Sequence, residues 1–370
     1  MRPGSPTFES AHFLCYRIYD IANEIDLRAA EKLLQTDTRR LKLSRENSQY
    51  LLLPNPPVTL HLGQKELVLS SGAVMVEATA RIFEHGAGSI IIKVPIPRGT
   101  SMEDVIPLAD ELFDSKAVDA LGLQLMNRLR ADIQSACEEP HLWEENETYT
   151  VLFAERLGEG FDVQEIPNRP ELARLLIGER GGTPLSERET AAVTSSRFSY
   201  RNDDLAVIDW NSAFVCEPSG STDIPDLLEI CNAQLLEFRY YDAQLDRLLL
   251  RIYEDMQKER GRKRSRIWRS PYKAMTRSVL QTLLEMSEFI ERVENSLKII
   301  GDFYLAKVYE AAVRRLRIPV WQGSVTRKQQ LLSETYELLK GEVDTARALT
   351  LETAVVVLIV TEIALAIWRH

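Results

Sequence analysis

The carboxyl-terminal stretch constrains this chain more than any other part of it. Between residues 349 and 368, eleven of the twenty residues are Leu, Ile or Val. A helix rises by about 1.5 Å per residue, so about 20 apolar residues match the roughly 30 Å hydrocarbon core of a bilayer. The run therefore predicts a single transmembrane anchor on an otherwise soluble protein. The residues expected to form this anchor are Leu349, Val355, Val356, Val357, Leu358, Ile359, Val360, Glu362, Ile363, Leu365, Ile367 and Trp368.

Two glutamates in this run leave a second interpretation open. Glu352 lies near the start of the run and Glu362 lies well inside it. A charge near the bilayer centre costs about 2.5–3.5 kcal/mol, whereas each Leu, Ile or Val favours insertion by roughly 0.3–0.6 kcal/mol. Eleven such residues contribute on the order of 5 kcal/mol. The balance favours a membrane anchor over the alternative, a helix buried in a soluble core.

Composition limits the class of protein. The chain has 370 residues, of which 27% are charged, and a net charge of −10. This length allows two or three domains, and the acidic balance does not indicate bulk binding to nucleic acid. The cysteines form no C-x-x-C pair, which is typical of reduced cysteines in a cytosol-type compartment. They are Cys15, Cys137, Cys216 and Cys231.

The first thirteen residues lack the apolar stretch of a secretory signal. We therefore expect a single-pass membrane protein whose body stays in the cytosol. The expected location is the bacterial inner membrane or, in a eukaryote, the mitochondrial inner membrane.

Residues 10–218 predict an α+β body. The clearest element is a hairpin over residues 75–97, where two β-branched runs flank a glycine-containing turn. The order strand, helix, hairpin occurs in residues 10–136 and again in residues 148–218. These two halves are therefore candidates for a duplicated module.

From residue 223 onward the spacing becomes helical. Apolar residues from Val279 to Tyr304 step alternately by four and three, which is typical of a coiled-coil seam. Pro319 is expected to break this helix, and a third helix is expected to start at Ser324 and run into the anchor. Residues 223–348 thus predict three long coiled-coil helices, which together with the anchor suggest a homo-oligomer.

A basic segment, residues 258–273, lies between the first two long helices. It contains eight Lys or Arg residues against a single Glu259. One interpretation is a solvated loop. If the first and third long helices both start near the body and run the same way, their lengths place the segment within roughly 10 Å of the membrane entry. Contact with anionic lipid is therefore a second interpretation, and contact with RNA or a ribosome is a third. The expected contact residues are Arg262, Lys263, Arg264, Arg266, Trp268, Arg269, Tyr272 and Lys273.

No catalytic pattern is evident in the sequence. There is no phosphate-binding G-x-x-x-x-G-K-[ST] motif, and the histidines have no metal-ligand spacing. Asp203, Asp204 and Asp209 fit a polar turn beside a strand better than a pair of catalytic carboxylates. We expect no enzymatic activity, no metal and no cofactor.

Three stretches, residues 80–97, 205–218 and 351–370, resemble the Required for Meiotic Nuclear Division 1-like family of membrane-anchored proteins, a domain of unknown function. Leu351, Glu352, Glu362 and Ile363 match its carboxyl-terminal run of Leu-Glu, aliphatic residues and Glu-Ile. Mitochondrial members are associated with the inner membrane and with support of organellar translation. The resemblance implies a membrane-tethered scaffold and assigns no site residue.

The sequence therefore favours a non-enzymatic, membrane-tethered scaffold or adaptor. The alternative is a protein that contacts RNA or a ribosome through residues 258–273.

Overall fold

The computed structural model describes residues 4–34, 38–40, 55–180, 185–261, 272–296 and 303–368. The fold is α+β, with a mixed sheet followed by long helices, as the sequence predicted. The chain forms two compact units. The first unit comprises Met1–Tyr240 and Arg292–Val320, and the second comprises Tyr241–Glu291 and Trp321–His370.

Strands occur only in the first unit within the described ranges. They are β1 (Phe8–Asp20), β2 (Glu24–Ile25), β3 (Thr38–Arg40), β4 (Val58–Leu69), β5 (Gly72–Ile82), β6 (Ala87–Ile96), β7 (Cys137–Glu138), β8 (Asn146–Leu157), β9 (Arg197–Phe198), β10 (Leu205–Ile208) and β11 (Ser212–Cys216). The helices are α1 (Leu27–Leu34), α2 (Met102–Phe113), α3 (Lys116–Ile133), α4 (Pro170–Ile177), α5 (Glu187–Val193), α6 (Asp223–Gly261), α7 (Tyr272–Ser296), α8 (Phe303–Arg315) and α9 (Ile318–Trp368).

One sheet organises the first unit. In the part of the chain that the structure describes, its strand order is β3-β4-β5-β6-β1-β8-β11-β10-β9, while β2 and β7 form a separate short ladder. β1 lies at the centre and pairs antiparallel with both β6 and β8. Its residues from Ala11 to Asp20 are all buried. Because successive side chains of a strand point to opposite faces, both faces of the sheet must be covered.

Helices α1–α5 cover one face of the sheet. Phe13 and Cys15 on β1 join a core that includes Ile106 on α2 and Leu172 on α4. The predicted hairpin is present as β5 and β6. Its turn requires glycine at residue 86, where φ is +104° and an added Cβ would lie 1.8 Å from the carbonyl oxygen of Ala22.

The first part of α6 and all of α8 belong to the other face. Residues 223–238 of α6 are buried on every side. The Tyr309 hydroxyl on α8 donates to Gln234 on α6 over 3.3 Å, and Arg315 at the end of α8 pairs with Asp209 after β10 at 2.5 Å. The sheet therefore lies between two helical layers.

The two halves of the body differ in how their strands pair. β6 runs antiparallel to β1, whereas β11 runs parallel to β8. The two halves share an order of elements, but their strands do not pair in the same way. The first unit also continues past the expected boundary at residue 218, because the first part of α6 packs into it as far as Tyr240.

One expected helix boundary in the carboxyl-terminal third needs correction. α9 begins at Ile318, so Pro319 lies in its first turn, where a missing N–H costs nothing, and the predicted start at Ser324 is wrong. The helix expected from Val279 to Tyr304 is described as α7 up to Ser296 and as α8 from Phe303, and Leu297 and Ile300 of the expected seam lie outside the described residues.

The second unit contains the rest of α6, α7 as far as Glu291, and α9 from Trp321 onward. Ser324 on α9 donates to Asp242 on α6 over 2.7 Å, and Lys328 pairs with Asp246 at 2.6 Å. These pairs show that α6 and α9 run parallel with a fixed register. In that register, Gly261 at the end of α6 lies level with Val343 on α9.

Candidate functional site

The candidate membrane anchor is the last part of α9. In the described part of the chain, this helix is long and apolar enough to cross a membrane, and none of its apolar window is buried. The alternative of a helix buried in a soluble core does not agree with this exposure. All twelve residues expected to form the anchor lie on α9, and each is exposed.

Two threonine hydroxyls in this segment donate hydrogen bonds to backbone carbonyl oxygens of their own helix. The Thr353 hydroxyl donates to the carbonyl oxygen of Leu349 over 2.7 Å, and the Thr361 hydroxyl donates to that of Val357. Such bonds suit a lipid environment, which offers a hydroxyl no other partner. Glu352 and Glu362 are exposed along the same segment.

Most of the basic segment falls outside the described residues. Its expected contact residues Arg262, Lys263, Arg264, Arg266, Trp268 and Arg269 all do so. Tyr272 and Lys273 begin α7, but their side chains are outside the description. The first four residues of the segment end α6, where Gly261 lies level with Val343, six residues before Leu349, or about 9 Å along the helix axis.

A buried charged cluster in the first unit was not predicted from the sequence. We call it the Arg81 cluster, and it consists of Arg81, Asp226 and Glu229 with Tyr16 and Ser89. One guanidinium nitrogen of Arg81 donates to Asp226 over 3.0 Å and also to Glu229. Glu229 is 0% exposed. The cluster joins the first part of α6 to the centre of the sheet.

Burial governs the electrostatics of the Arg81 cluster. Burial raises the pKa of the Glu229 carboxyl to about 7, although Arg81 beside it acts in the opposite direction. Burial also raises the pKa of Tyr16, and the Glu229 and Asp226 carboxylates add to this shift. For Arg81 burial acts to lower the pKa, but the two carboxylates outweigh it and raise the value.

A second polar group lies where the first part of α6 ends. His141 pairs with Asp20 at 3.0 Å and stacks on the Tyr240 ring at 5.1 Å between centroids. Arg239 pairs with Glu145 and Glu147 on the β8 side of the sheet. Burial raises the pKa of Asp20, while His141 donates to it and limits that rise.

The sequence contained one signal for these charges. Arg81 and Ser89 stand opposite each other within β5 and β6, on strand positions that face a helix instead of solvent. Polar residues at such positions indicate a buried polar partner. The partners on α6 could not be identified from the sequence, because acidic residues on a long helix usually belong to its solvated face.

Two of the three aspartates considered for catalysis, Asp204 and Asp209, accept hydrogen bonds within the first unit. Asp204 accepts from the backbone N–H groups of Tyr200 and Arg201, and Asp209 accepts from that of Trp210 and from Arg315. Within the residues described, no group of three or more His, Cys, Asp or Glu side chains could hold a metal ion.

Comparison with known proteins identifies the sheet-containing part of the chain. A family model described as "Uncharacterized protein MJ0711, N-terminal domain" matches residues 10–222, which is more than half of the chain. The chain belongs to this family. The matched region contains the sheet except for Phe8 and Glu9 at the start of β1, and it ends one residue before α6 begins.

A relative with the same description, uncharacterized protein MJ0711 of Methanocaldococcus jannaschii, is 23% identical over 223 residues. That match covers 60% of this chain and 66% of the relative, so it spans less than two thirds of the relative's length. No solved structure matches the chain. The MJ0711 N-terminal domain supplies Arg81 and Ser89 to the Arg81 cluster, whereas α6 supplies Asp226 and Glu229.

Proposed function

We propose that this protein is a non-enzymatic, membrane-tethered scaffold or adaptor, in which residues 349–368 hold an MJ0711 N-terminal domain at a membrane. The observation that carries the proposal is the complete exposure of the apolar end of α9. A helix with apolar side chains all round is stable only where those side chains meet lipid or protein. In this proposal the body lies in the cytosol.

Replacing Leu358 and Ile359 by arginine tests the anchor. The pair lies at the centre of the segment, where two arginines cost about 5–7 kcal/mol of insertion. We expect the full chain to move from the membrane fraction to the soluble fraction, or to aggregate outside the membrane. The measurement is fractionation of cells followed by an alkaline wash, which removes proteins that only lie on the surface.

The matched control is replacement of Leu331 and Leu338 by arginine. These two leucines are 51% and 68% exposed on the same helix, before the apolar segment begins. We expect the control chain to stay in the membrane fraction. Equal behaviour of the two double variants would contradict an anchor at residues 349–368.

The basic segment supports a second part of the proposal, contact with anionic lipid headgroups. Its first four residues end α6 at Gly261, which lies about 9 Å from the level of Leu349. Each basic residue near an anionic leaflet contributes about 1 kcal/mol, and Trp and Tyr suit that interface. The alternative remains RNA or a ribosome, since arginines interleaved with aromatic residues also bind nucleic acid.

A chain ending at Ala348 separates these two partners. On the lipid proposal it binds anionic vesicles at low salt and leaves them as salt shortens the screening length from about 10 Å at 0.1 M to about 3 Å at 1 M. Changing Arg262, Lys263, Arg264 and Arg266 to glutamine should abolish this binding. Binding to RNA without binding to vesicles would favour the alternative.

The resemblance to the Required for Meiotic Nuclear Division 1-like family also supports a scaffold role, because the order of elements is similar. In that family a body rich in strands also precedes long helices and a carboxyl-terminal apolar run. A homo-oligomer held together by the helices and the anchor fits this proposal. Proximity labelling in cells, read for membrane proteins against ribosomal proteins, would test which partners the domain meets.

A further inference from the structure

The Arg81 cluster contains more acid than base. The groups facing Glu229 are Arg81 on β5, Ser89 on β6, Tyr16 on β1 and Asp226 on α6 itself. Among these described groups Arg81 is the cation, and it faces two carboxyl groups. If both were ionised, the cluster would hold one excess negative charge away from water, which is strongly unfavourable.

The hydrogen bonds indicate which of the two carboxyls is neutral. Asp226 accepts from Arg81 over 3.0 Å and from the Thr222 hydroxyl over 2.9 Å, as an ionised carboxylate does. Glu229 uses Oε2 for Arg81, while its Oε1 and the adjacent Ser89 hydroxyl are without another hydrogen-bond partner in the described part of the chain. Burial is the largest influence on the pKa of Glu229 and raises it, outweighing Arg81 and the Ser89 hydroxyl, which both act to lower it.

We propose that Glu229 binds a proton when the first part of α6 packs on the sheet, so that this packing is a proton-linked equilibrium. The proton comes from water as the helix packs, stays on the carboxyl as a neutral acid, and returns to water when the helix detaches. Residues 223–240 are thus held most firmly at acidic pH and loosen as the pH rises. The pH-sensitive packing is that of α6, and this helix continues into the second unit.

The direction of this effect follows from the electrostatics. Burial raises the pKa of Glu229 from an ordinary value of 4.5 to about 7. The packed state therefore binds the proton more tightly than the detached state. Its extra stability is complete below about pH 4.5, falls between about pH 4.5 and about pH 7, and changes no further above that.

Hydrogen exchange of the full-length protein in detergent micelles tests the linkage. Amide protection of residues 223–240, corrected for the pH dependence of intrinsic exchange, should fall on the order of 100-fold between about pH 4.5 and about pH 7.5. In Glu229→Gln, where the neutral form is permanent, the fall should disappear. The same pH dependence in Glu229→Gln would overturn the proposal.

Infrared spectroscopy gives a readout that does not depend on stability. The wild-type protein should show a carboxylic acid C=O band that disappears as the pH is raised through about 7. This band should be absent in Glu229→Gln and unchanged in Glu145→Gln, an exposed control. In Asp226→Asn, Arg81 faces a single carboxyl, so the band should disappear at a lower pH. A wild-type protein without the band, or Asp226→Asn with no shift, would refute the protonation of Glu229 even if Glu229→Gln fails to fold.

Discussion

The first part of α6 and the last part of α9 are opposites. Residues 223–238 of α6 are buried on every side, although Asp226, Glu229 and Glu237 lie among them. Residues 351–368 of α9 are exposed on every side, although most of them are apolar. Burial and polarity therefore need not agree within one chain. A buried helix that carries charged residues is adapted to partners within the protein, and an exposed apolar helix is adapted to apolar surroundings.

The two helices also satisfy their polar groups differently. In α6 the partners are supplied from far along the chain, as Arg81 is for Asp226. In α9 the hydroxyls of Thr353 and Thr361 use carbonyl oxygens of their own helix. A helix packed inside protein has partners within reach, whereas a helix in lipid must supply its own.

The largest effect is expected from Arg81→Met. The change leaves Asp226 and Glu229 buried without a cation, and breaking a buried ion pair in this way costs about 3–5 kcal/mol. Thermal unfolding of the full chain in micelles should show the loss. The loss should shrink at acidic pH, because a protonated Glu229 carries no charge for Arg81 to balance.

Arg314→Met is the control for this change. Arg314 pairs with Glu310 on the exposed side of α8, with side-chain exposures of 77% and 71%. Exposed pairs of this kind contribute about 0–1 kcal/mol. If both arginine variants lost the same stability, the contrast between buried and exposed charges would not hold.

A smaller effect is expected from Glu362→Leu. Removing a carboxyl from the middle of the apolar segment should favour insertion by about 2.5–3.5 kcal/mol. If two copies share a hydrogen bond through Glu362, chemical cross-linking of dimers in the membrane should weaken at the same time. Glu352→Leu, near the start of the segment, should change both readouts less. Unchanged cross-linking in Glu362→Leu would leave Glu362 with no part in assembly.

The smallest effect is expected from Thr361→Val. The hydroxyl already donates to the carbonyl oxygen of Val357, so its removal should change insertion by no more than about 1 kcal/mol. The same fractionation and cross-linking assays measure it. An effect as large as that of Glu362→Leu would mean that Thr361 bonds to a group outside its own helix.

Local patterns made some of this structure predictable. The β5–β6 hairpin and the apolar end of α9 are each specified within a few tens of residues, by alternation and a turn in one case and by a continuous run in the other. The Arg81 cluster could not be found in this way, because Arg81 and Asp226 are 145 residues apart. Nothing near either residue identifies its partner.

The same distinction explains what was not predicted for the helices. Heptad spacing from Val279 to Tyr304 is a local signal and gives no information on which unit a helix joins, so the membership of α8 in the first unit was not predicted. The parallel pairing of β11 with β8 was missed for a similar reason. Pro319 was interpreted as a helix breaker although its position in the first turn of α9 makes it a helix starter.

The central position of β1 has a consequence for biosynthesis. β1 is synthesised before both of its partners, since Phe13 pairs with Val94 on one side and with Leu152 on the other. Pairing between segments so far apart in the sequence is slow. Closing a large loop costs chain entropy, and no contact offsets that cost until the loop has closed. Until β8 and then α6 have been made, an apolar strand with two open edges is exposed to other chains. Nascent chains that end before residue 240 are therefore expected to depend on molecular chaperones.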